Sequence, residues 1–368
     1  MSTPSHEPFC LVKSSINVDE TFDVPHIVKP GETISSTGLN SRPGGKGANV
    51  SAAIALAGAQ VSLSAAVGTD ATWPVQELER RNVDVRAVEV LQDQPTGRAF
   101  IQIAEDGENS IVLLKGANYS TSSKSSDPSQ VFGSTPRPVT HLMVQNEIPI
   151  QVTTSFLLHS RKLGSPNVTT IFNPSPMPSV QEILDFPWST IDVLIVNEGE
   201  ALELLNAFSS SSRPPLASSD QEAETVLTLL GSEPRLESLS WIVMTRGSKG
   251  VYANVRTLSQ PLQPESSSSS WRLYKVPAYR PVQVRDTTGA GDTFAGNLVS
   301  GLMGINPPWL EAGPVVHLGE RGCPAKHPEQ VESILRWAVV AASVACETEG
   351  ALNSIPDSKV VAQRMSQE

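Results

Sequence analysis

Apolar residues along this chain gather in short runs separated by polar and small-residue segments. Val61–Val67, His141–Val144, Thr169–Phe172, Val193–Val196 and Trp241–Met244 are near-continuous apolar stretches, too short for helices. Runs of this kind read as strands buried on both faces. Around and between them, Val50–Ala57, Val152–Lys162, Ala201–Leu205 and Ala223–Leu230 read as helices. Strand alternating with helix predicts an α/β fold, a mainly parallel central sheet with helices on both faces. Ligands bind beyond the carboxyl ends of such strands, and Asn17, Glu147, Asn173, Asn197 and Thr245 are expected there.

Thr96–Leu114 breaks the alternation. Phe100–Ile103 and Ile111–Leu114 are β-prone and flank Glu105-Asp106-Gly107-Glu108. Asp-Gly between two such runs is a hairpin signal. Set into a parallel fold, the hairpin either projects as a lid that keeps water from a site or packs on the core.

Composition narrows the function classes. The chain has 368 residues, enough to bury a large core. A net charge of −11 and a pI near 5.1 count against a nucleic-acid partner. Cys10, Cys323 and Cys346 are too few and too scattered for a disulfide framework or a metal spacing. The expected compartment is the reducing cytoplasm, with the nucleus open to it as well. No basic start leads into an apolar run, and no apolar stretch is long enough for a bilayer, so no membrane association is expected. Ser120–Pro138, Ser209–Asp220, Pro261–Trp271 and Pro307–Pro328 are rich in serine or proline and are expected as mobile surface insertions. In the last of these, His317, Cys323 and His327 match no common zinc spacing.

Two segments carry candidate chemistry. Asp286-Thr287-Thr288-Gly289-Ala290-Gly291-Asp292-Thr293-Phe294 is a glycine-rich turn running into a small-residue helical segment. Successive backbone N–H groups there, with the positive end of the helix, form an anion hole. A carboxylate repels phosphate, so Asp292 reads as a base acting on a second substrate, or else as an N-cap. A base beside an anion cradle points to phosphoryl transfer to a hydroxyl; the turn could equally be purely structural. It is neither a Walker A loop nor a dinucleotide fingerprint. Far upstream, Gly44-Gly45-Lys46-Gly47-Ala48-Asn49 brings backbone close to a ligand and offers Lys46 and Asn49 as donors.

Together these two segments resemble the paired signatures of the ribokinase family, the PfkB-type carbohydrate kinases. The resemblance runs along most of the chain, through Ser15–Asp19, Lys29–Thr33, Thr96–Ile101, Gln145–Pro149, Asn173–Pro176, Asn197–Glu200 and Thr245–Gly250. It implies a ribokinase-like domain spanning the chain, with a small β-sheet lid drawn from about residues 19–42 and 96–116. The implied reaction is ATP-dependent phosphorylation of a sugar's primary hydroxyl. Gly-Gly-Lys-Gly-Ala-Asn with Asn-Pro-x-Pro is most like the ribose-specific members, whose product is ribose 5-phosphate. Alternatives are a kinase of another sugar or a nucleoside, and a catalytically idle sugar sensor.

The resemblance also implies roles. Asp292 would be the base, with the N–H groups of Gly289, Ala290 and Gly291 on the transferred phosphoryl group. Asn17, Asp19, Gly45, Lys46, Asn49 and Glu147 would hold the sugar. Asn197, Thr245, Arg246, Gly247, Ser248, Gly250 and Gly291 would bind ATP, with Asn197 and Glu200 acting on Mg²⁺ through water. Asp286, Thr288, Cys346, Glu349, Gly350 and Ser354 would form a site for activating K⁺. A homodimer through the lid is the implied assembly. This chain departs from the family pattern at Ser14, where glycine is usual, at Glu349, where a basic residue is common, and at Val339, where a polar residue often lies near the adenine.

Overall fold

The computed structural model describes residues 7–163, 168–209, 219–257, 270–305 and 328–367. Thirteen strands are described: β1 (Cys10–Lys13), β2 (Asn17–Val24), β3 (Gly38–Gly44), β4 (Val61–Gly68), β5 (Val88–Leu91), β6 (Gly97–Ala104), β7 (Asn109–Leu114), β8 (His141–Gln145), β9 (Thr169–Asn173), β10 (Val193–Asn197), β11 (Trp241–Thr245), β12 (Val251–Thr257) and β13 (Ser270–Val276). Nine form a central sheet in the order β13-β12-β11-β10-β9-β8-β1-β4-β5. Its neighbours are parallel from β11 to β5, and β12 and β13 add an antiparallel edge.

Alternation within each strand explains the apolar runs. Val12, Leu63, Met143, Ile171, Ile195 and Val243 face one core, packed against the helices Lys46–Leu56, Ala290–Leu302 and Pro328–Ala345. Leu11, Leu142, Val144, Phe172, Leu194 and Ile242 face the other, against Ile150–Lys162, Glu198–Phe208 and Asp220–Gly231. Both faces are covered, so the strands read as near-continuous apolar runs, and the polar residues within them, such as Ser62, Ser64, His141 and Thr170, are themselves buried.

The remaining four strands form a second sheet, β3-β2-β6-β7. The hairpin expected at Thr96–Leu114 is β6–β7, turning at Gly107 with φ +87°. It pairs into this separate sheet, not onto the main core, and β7 is largely exposed. Asn17, expected at a strand's carboxyl end, instead opens β2, because the chain leaves the central sheet at Lys13 and crosses through Ser14–Ile16.

The expectation of a mobile surface loop over Ser120–Pro138 needs correction. That stretch holds the helix Pro128–Ser134, capped by Asp127, and buries Ser123, Ser125 and Val131. The other three Ser/Pro-rich stretches, with His317, Cys323 and His327, lie largely outside the described residues. No helix among the described residues is long and apolar enough to cross a membrane.

Candidate active site

Strand β1 lies between β4 and β8, where successive crossovers run in opposite directions. That reversal opens a crevice at the carboxyl ends. Ser14–Asn17 leave β1 on one side of it, and Gln145–Glu147 leave β8 on the other.

The helix Lys46–Leu56 starts just beyond Gly45, which adopts φ +89°. A Cβ there would come within 2.7 Å of the Asn17 backbone nitrogen, so only glycine allows this approach. Glu147 anchors the helix start: its Oε2 accepts the Lys46 backbone N–H at 2.9 Å and the Ser15 hydroxyl. Asn17 Oδ1 accepts from Asn118 Nδ2 at 2.7 Å, while Asn118 also bonds the Ile16 backbone at both N–H and C=O. Asp19 lies against Gly44, where a Cβ would collide with its carboxylate. Burial, then the nearby Glu147 and Asp292, push the Asp19 carboxyl up to about 7.

The second motif folds as its glycines require. Gly289 is the N-cap of the helix Ala290–Leu302, in the left-handed region at φ +77°, and a Cβ there would lie 2.8 Å from Ala351. Asp292 is therefore not the N-cap. It sits in the helix's first turn with its side chain turned into the site and 7 % exposed. Asn49 Nδ2 donates to its Oδ2 at 2.9 Å, and Gln145 Nε2 reaches its Oδ1 at 3.4 Å. Asn49 Oδ1 is buried with no hydrogen-bond partner, an acceptor that a ligand hydroxyl would satisfy.

Lys46, Asn173, Asn197, Glu200, Thr245, Gly289, Gly291 and Asp292 line one polar cavity of about 150 Å³. Lys46 was expected on the sugar, and it also reaches this cavity. Its ammonium is held above its ordinary pKa, chiefly by Asp292 and, against burial, by Glu147 and Glu200. Asn197 and Glu200 form a reciprocal capping box, each side chain accepting the other's backbone N–H.

A second cavity of about 450 Å³ shares Asn197, Thr245 and Gly291 with the first. Its walls are mostly apolar, with Ala278, Tyr279, Pro281, Val284, Phe294 and Val339 among them, beside Gly247, Ser248 and Gly250. Such a slot suits a flat, largely apolar base, and Val339 gives it an apolar contact. Arg246 lines neither cavity. Its guanidinium, 1 % exposed, pairs with Glu198 at 2.7 Å and Asp220 at 2.8 Å, and lies over the Tyr252 ring. A larger cleft at the amino ends of the strands, near Gln60, Asn82 and Arg137, collects no motif residue.

The residues expected around K⁺ are brought together. Asp286 accepts the backbone N–H groups of Thr288 at 2.9 Å and Gly350 at 2.8 Å, and the Cys346 carbonyl accepts from Arg285 at 2.8 Å. Burial opposes the Asp286 carboxylate, but these hydrogen bonds outweigh it and hold its pKa below the ordinary value. Ser354 donates to the Ala351 carbonyl. Glu349 extends to Arg42 of β3, 3.4 Å away.

Nothing in the sequence pattern assigns a role to Gln145 or singles out Asn118 and most of the apolar slot. Neither a buried amide at a strand end nor a wall assembled from residues 278–294 and 339–346 carries a periodic signal.

The comparisons with known proteins give a family and a fold. The family model described as pfkB family carbohydrate kinase matches residues 9–358. A ribokinase of Haemophilus influenzae is 28 % identical over 349 residues, spanning 94 % of each chain. The ribokinase of Cryptococcus neoformans var. grubii serotype A, solved in complex with ADP, superposes with a TM-score of 0.77 at 38 % identity, covering 97 % of this chain and 99 % of that one. The Arabidopsis thaliana ribokinase solved with ribose and ATP shares the fold at a TM-score of 0.71 and 24 % identity, over 97 % of this chain and 98 % of that one.

Proposed function

The chain belongs to the pfkB family of carbohydrate kinases, and from that premise we propose that it transfers the γ-phosphate of ATP to the primary hydroxyl of D-ribose, giving D-ribose 5-phosphate. The observation that carries this reading is the placement of Asp292. A buried carboxylate, gripped by Asn49, stands in the first turn of a helix whose glycine N-terminus opens on the same cavity as Lys46. The ribokinase relatives support ribose as the acceptor.

The sugar would lie among Asn17, Asp19, Gly45, Lys46, Asn49 and Glu147, a set of donors and acceptors suited to a polyol. ATP would place its base in the apolar slot and its phosphates toward Thr245 and Gly291. Asp292 would take the proton of the primary hydroxyl as the oxygen attacks, an effect worth about a hundred- to ten-thousandfold. The N–H groups of Gly289 and Gly291 would stabilise charge on the moving phosphoryl group, each worth on the order of a hundredfold; the Ala290 N–H, expected to join them, donates instead to the Thr287 carbonyl at 3.3 Å. Lys46 adds a positive charge on the same side.

Asn197 and Glu200 supply oxygens at the polar cavity that fit a hydrated magnesium ion. Bound there, magnesium would neutralise charge on the ATP phosphates. Asp286, Thr288, Cys346, Gly350 and Ser354 offer carboxylate, carbonyl and hydroxyl oxygens, a donor set that fits potassium. Glu349 is drawn toward Arg42 instead. A homodimer would cover Leu39, Ile111, Val112 and Leu113 of the lid sheet, which are exposed in one chain.

The test is ADP release with magnesium-ATP against ribose, deoxyribose, fructose and adenosine, with and without potassium. Turnover on ribose that rises with potassium and is lost in Asp292→Asn supports the reading. Turnover on another acceptor moves the substrate. Ligand binding without turnover favours the sugar sensor.

A further inference from the structure

Gln145 closes strand β8 with its side chain fully buried beside Asp292. Its orientation follows from a sequence of commitments. Asn173 donates Nδ2 to the Ile195 carbonyl at 2.9 Å, so its Oδ1 is left toward Gln145. Gln145 presents Nε2 on that side, 3.3 Å from Asn173 Oδ1 and 3.4 Å from Asp292 Oδ1. Its other end, Oε1, accepts the Ser14 hydroxyl at 3.0 Å. Ser14 is itself 0 % exposed, in the crossover between β1 and β2. Rotated by half a turn, the amide would set Oε1 against a carboxylate and an amide oxygen, two repulsive contacts in a buried site.

We propose that Ser14 and Gln145 are positioning residues for the phosphoryl transfer: Ser14 locks the Gln145 amide, and that amide aims the Asp292 carboxylate at the acceptor hydroxyl. The proposal rests on the reading of Asp292 as the base. Asn49 alone holds one oxygen and lets the carboxylate plane swing about that contact. The second amide, on the other oxygen, fixes the plane. A base must present its lone pair within a narrow cone, so holding the plane acts on the rate and not on ligand affinity. The serine that departs from the family pattern is the residue that supplies the lock.

The experiment measures kcat and the sugar dissociation constant separately for the wild type and for Ser14→Ala, Ser14→Thr and Gln145→Met. Loss of one buried hydrogen bond should lower kcat of Ser14→Ala about tenfold. Misplacing the base outright should lower kcat of Gln145→Met on the order of a hundredfold. Sugar dissociation constants should stay at wild-type values for both serine variants, whereas melting temperatures should fall modestly in both, through the orphaned Gln145 Oε1 in alanine and the added methyl in threonine; threonine, which keeps the hydroxyl, should restore kcat. In an Asp292→Asn background, Ser14→Ala should cost nothing further. Wild-type kcat in Ser14→Ala, or a loss confined to sugar affinity or thermal stability, overturns the positioning role alone. A wild-type chain that phosphorylates no sugar overturns both this proposal and the kinase reading beneath it.

Discussion

Asn49 and Asp292, 243 residues apart in the chain, meet amide to carboxylate at 2.9 Å in a contact closed to solvent. One belongs to the helix Lys46–Leu56 and the other to Ala290–Leu302. The contact exists because the two helices press together through small residues. A Cβ on Gly296 would lie 2.4 Å from the Ala53 Cβ and 2.8 Å from the Val50 carbonyl oxygen. Two motifs at opposite ends of the sequence become one site at this crossing.

Gly296→Ala should therefore act on catalysis from outside the site. Overpacking the crossing should cost about 1–3 kcal/mol of stability. By parting Asn49 from Asp292 it should also lower kcat more than it raises the KM for ATP. Urea melts alongside steady-state kinetics check this; a variant destabilised but kinetically normal would mean that the crossing does not set the contact.

Asp19 makes stability depend on pH. Its folded pKa, about 7, lies above the ordinary value of 3.8, so the folded chain binds more protons than the unfolded chain between those values. Stability from this group is then whole below about pH 4 and is lost as pH rises through 7. Asp19→Asn should be more stable than the wild type above pH 7, by on the order of a few kcal/mol, with the gap closing toward pH 4. Melting temperatures of both proteins across pH 4.5–8 give the answer, and parallel curves would refute it.

Arg246 acts through its neighbours. It ties Glu198 at the start of one helix to Asp220 at the start of the next, next to the Asn197–Glu200 capping box. Arg246→Met should cost about 1–3 kcal/mol and raise the KM for magnesium-ATP while leaving the sugar KM unchanged. An equal rise in both would indicate a general loosening of the fold.

The lid sheet should reveal the assembly. Val112, 63 % exposed at the middle of edge strand β7, would lie against the second chain in a lid-to-lid dimer. Val112→Lys should shift sedimentation from dimer to monomer at micromolar concentration. A wild type already monomeric there would remove the proposed homodimer.

The central strands were legible because burial on both faces leaves an unbroken apolar run. β8, β9, β10 and β11 each extend one residue past the expected end, to Gln145, Asn173, Asn197 and Thr245. Those extra residues are polar, and they are the ones that turn toward the site. The helix at Lys46 began earlier than its apolar pattern because Gly-Lys-Gly-Ala has no helical stripe; backbone approach, not burial of a face, sets its start. Asp292 was legible as a base candidate, since a carboxylate beside an anion hole is chemically out of place. Ser14 and Gln145 were not. Their geometry depends on which amide end faces which neighbour, and that is decided only after three strands have paired.

The crevice at the reversal beside β1 also divides labour along the chain. Every proposed sugar contact other than Asp292 lies before Ile150, and the proposed nucleotide contacts begin at Asn197. On that reading, acceptor choice would respond to substitutions upstream while the phosphate donor's seat stayed unchanged. The coupling that must survive such a change is narrow: the two amides of Asn49 and Gln145 that reach across to one carboxylate.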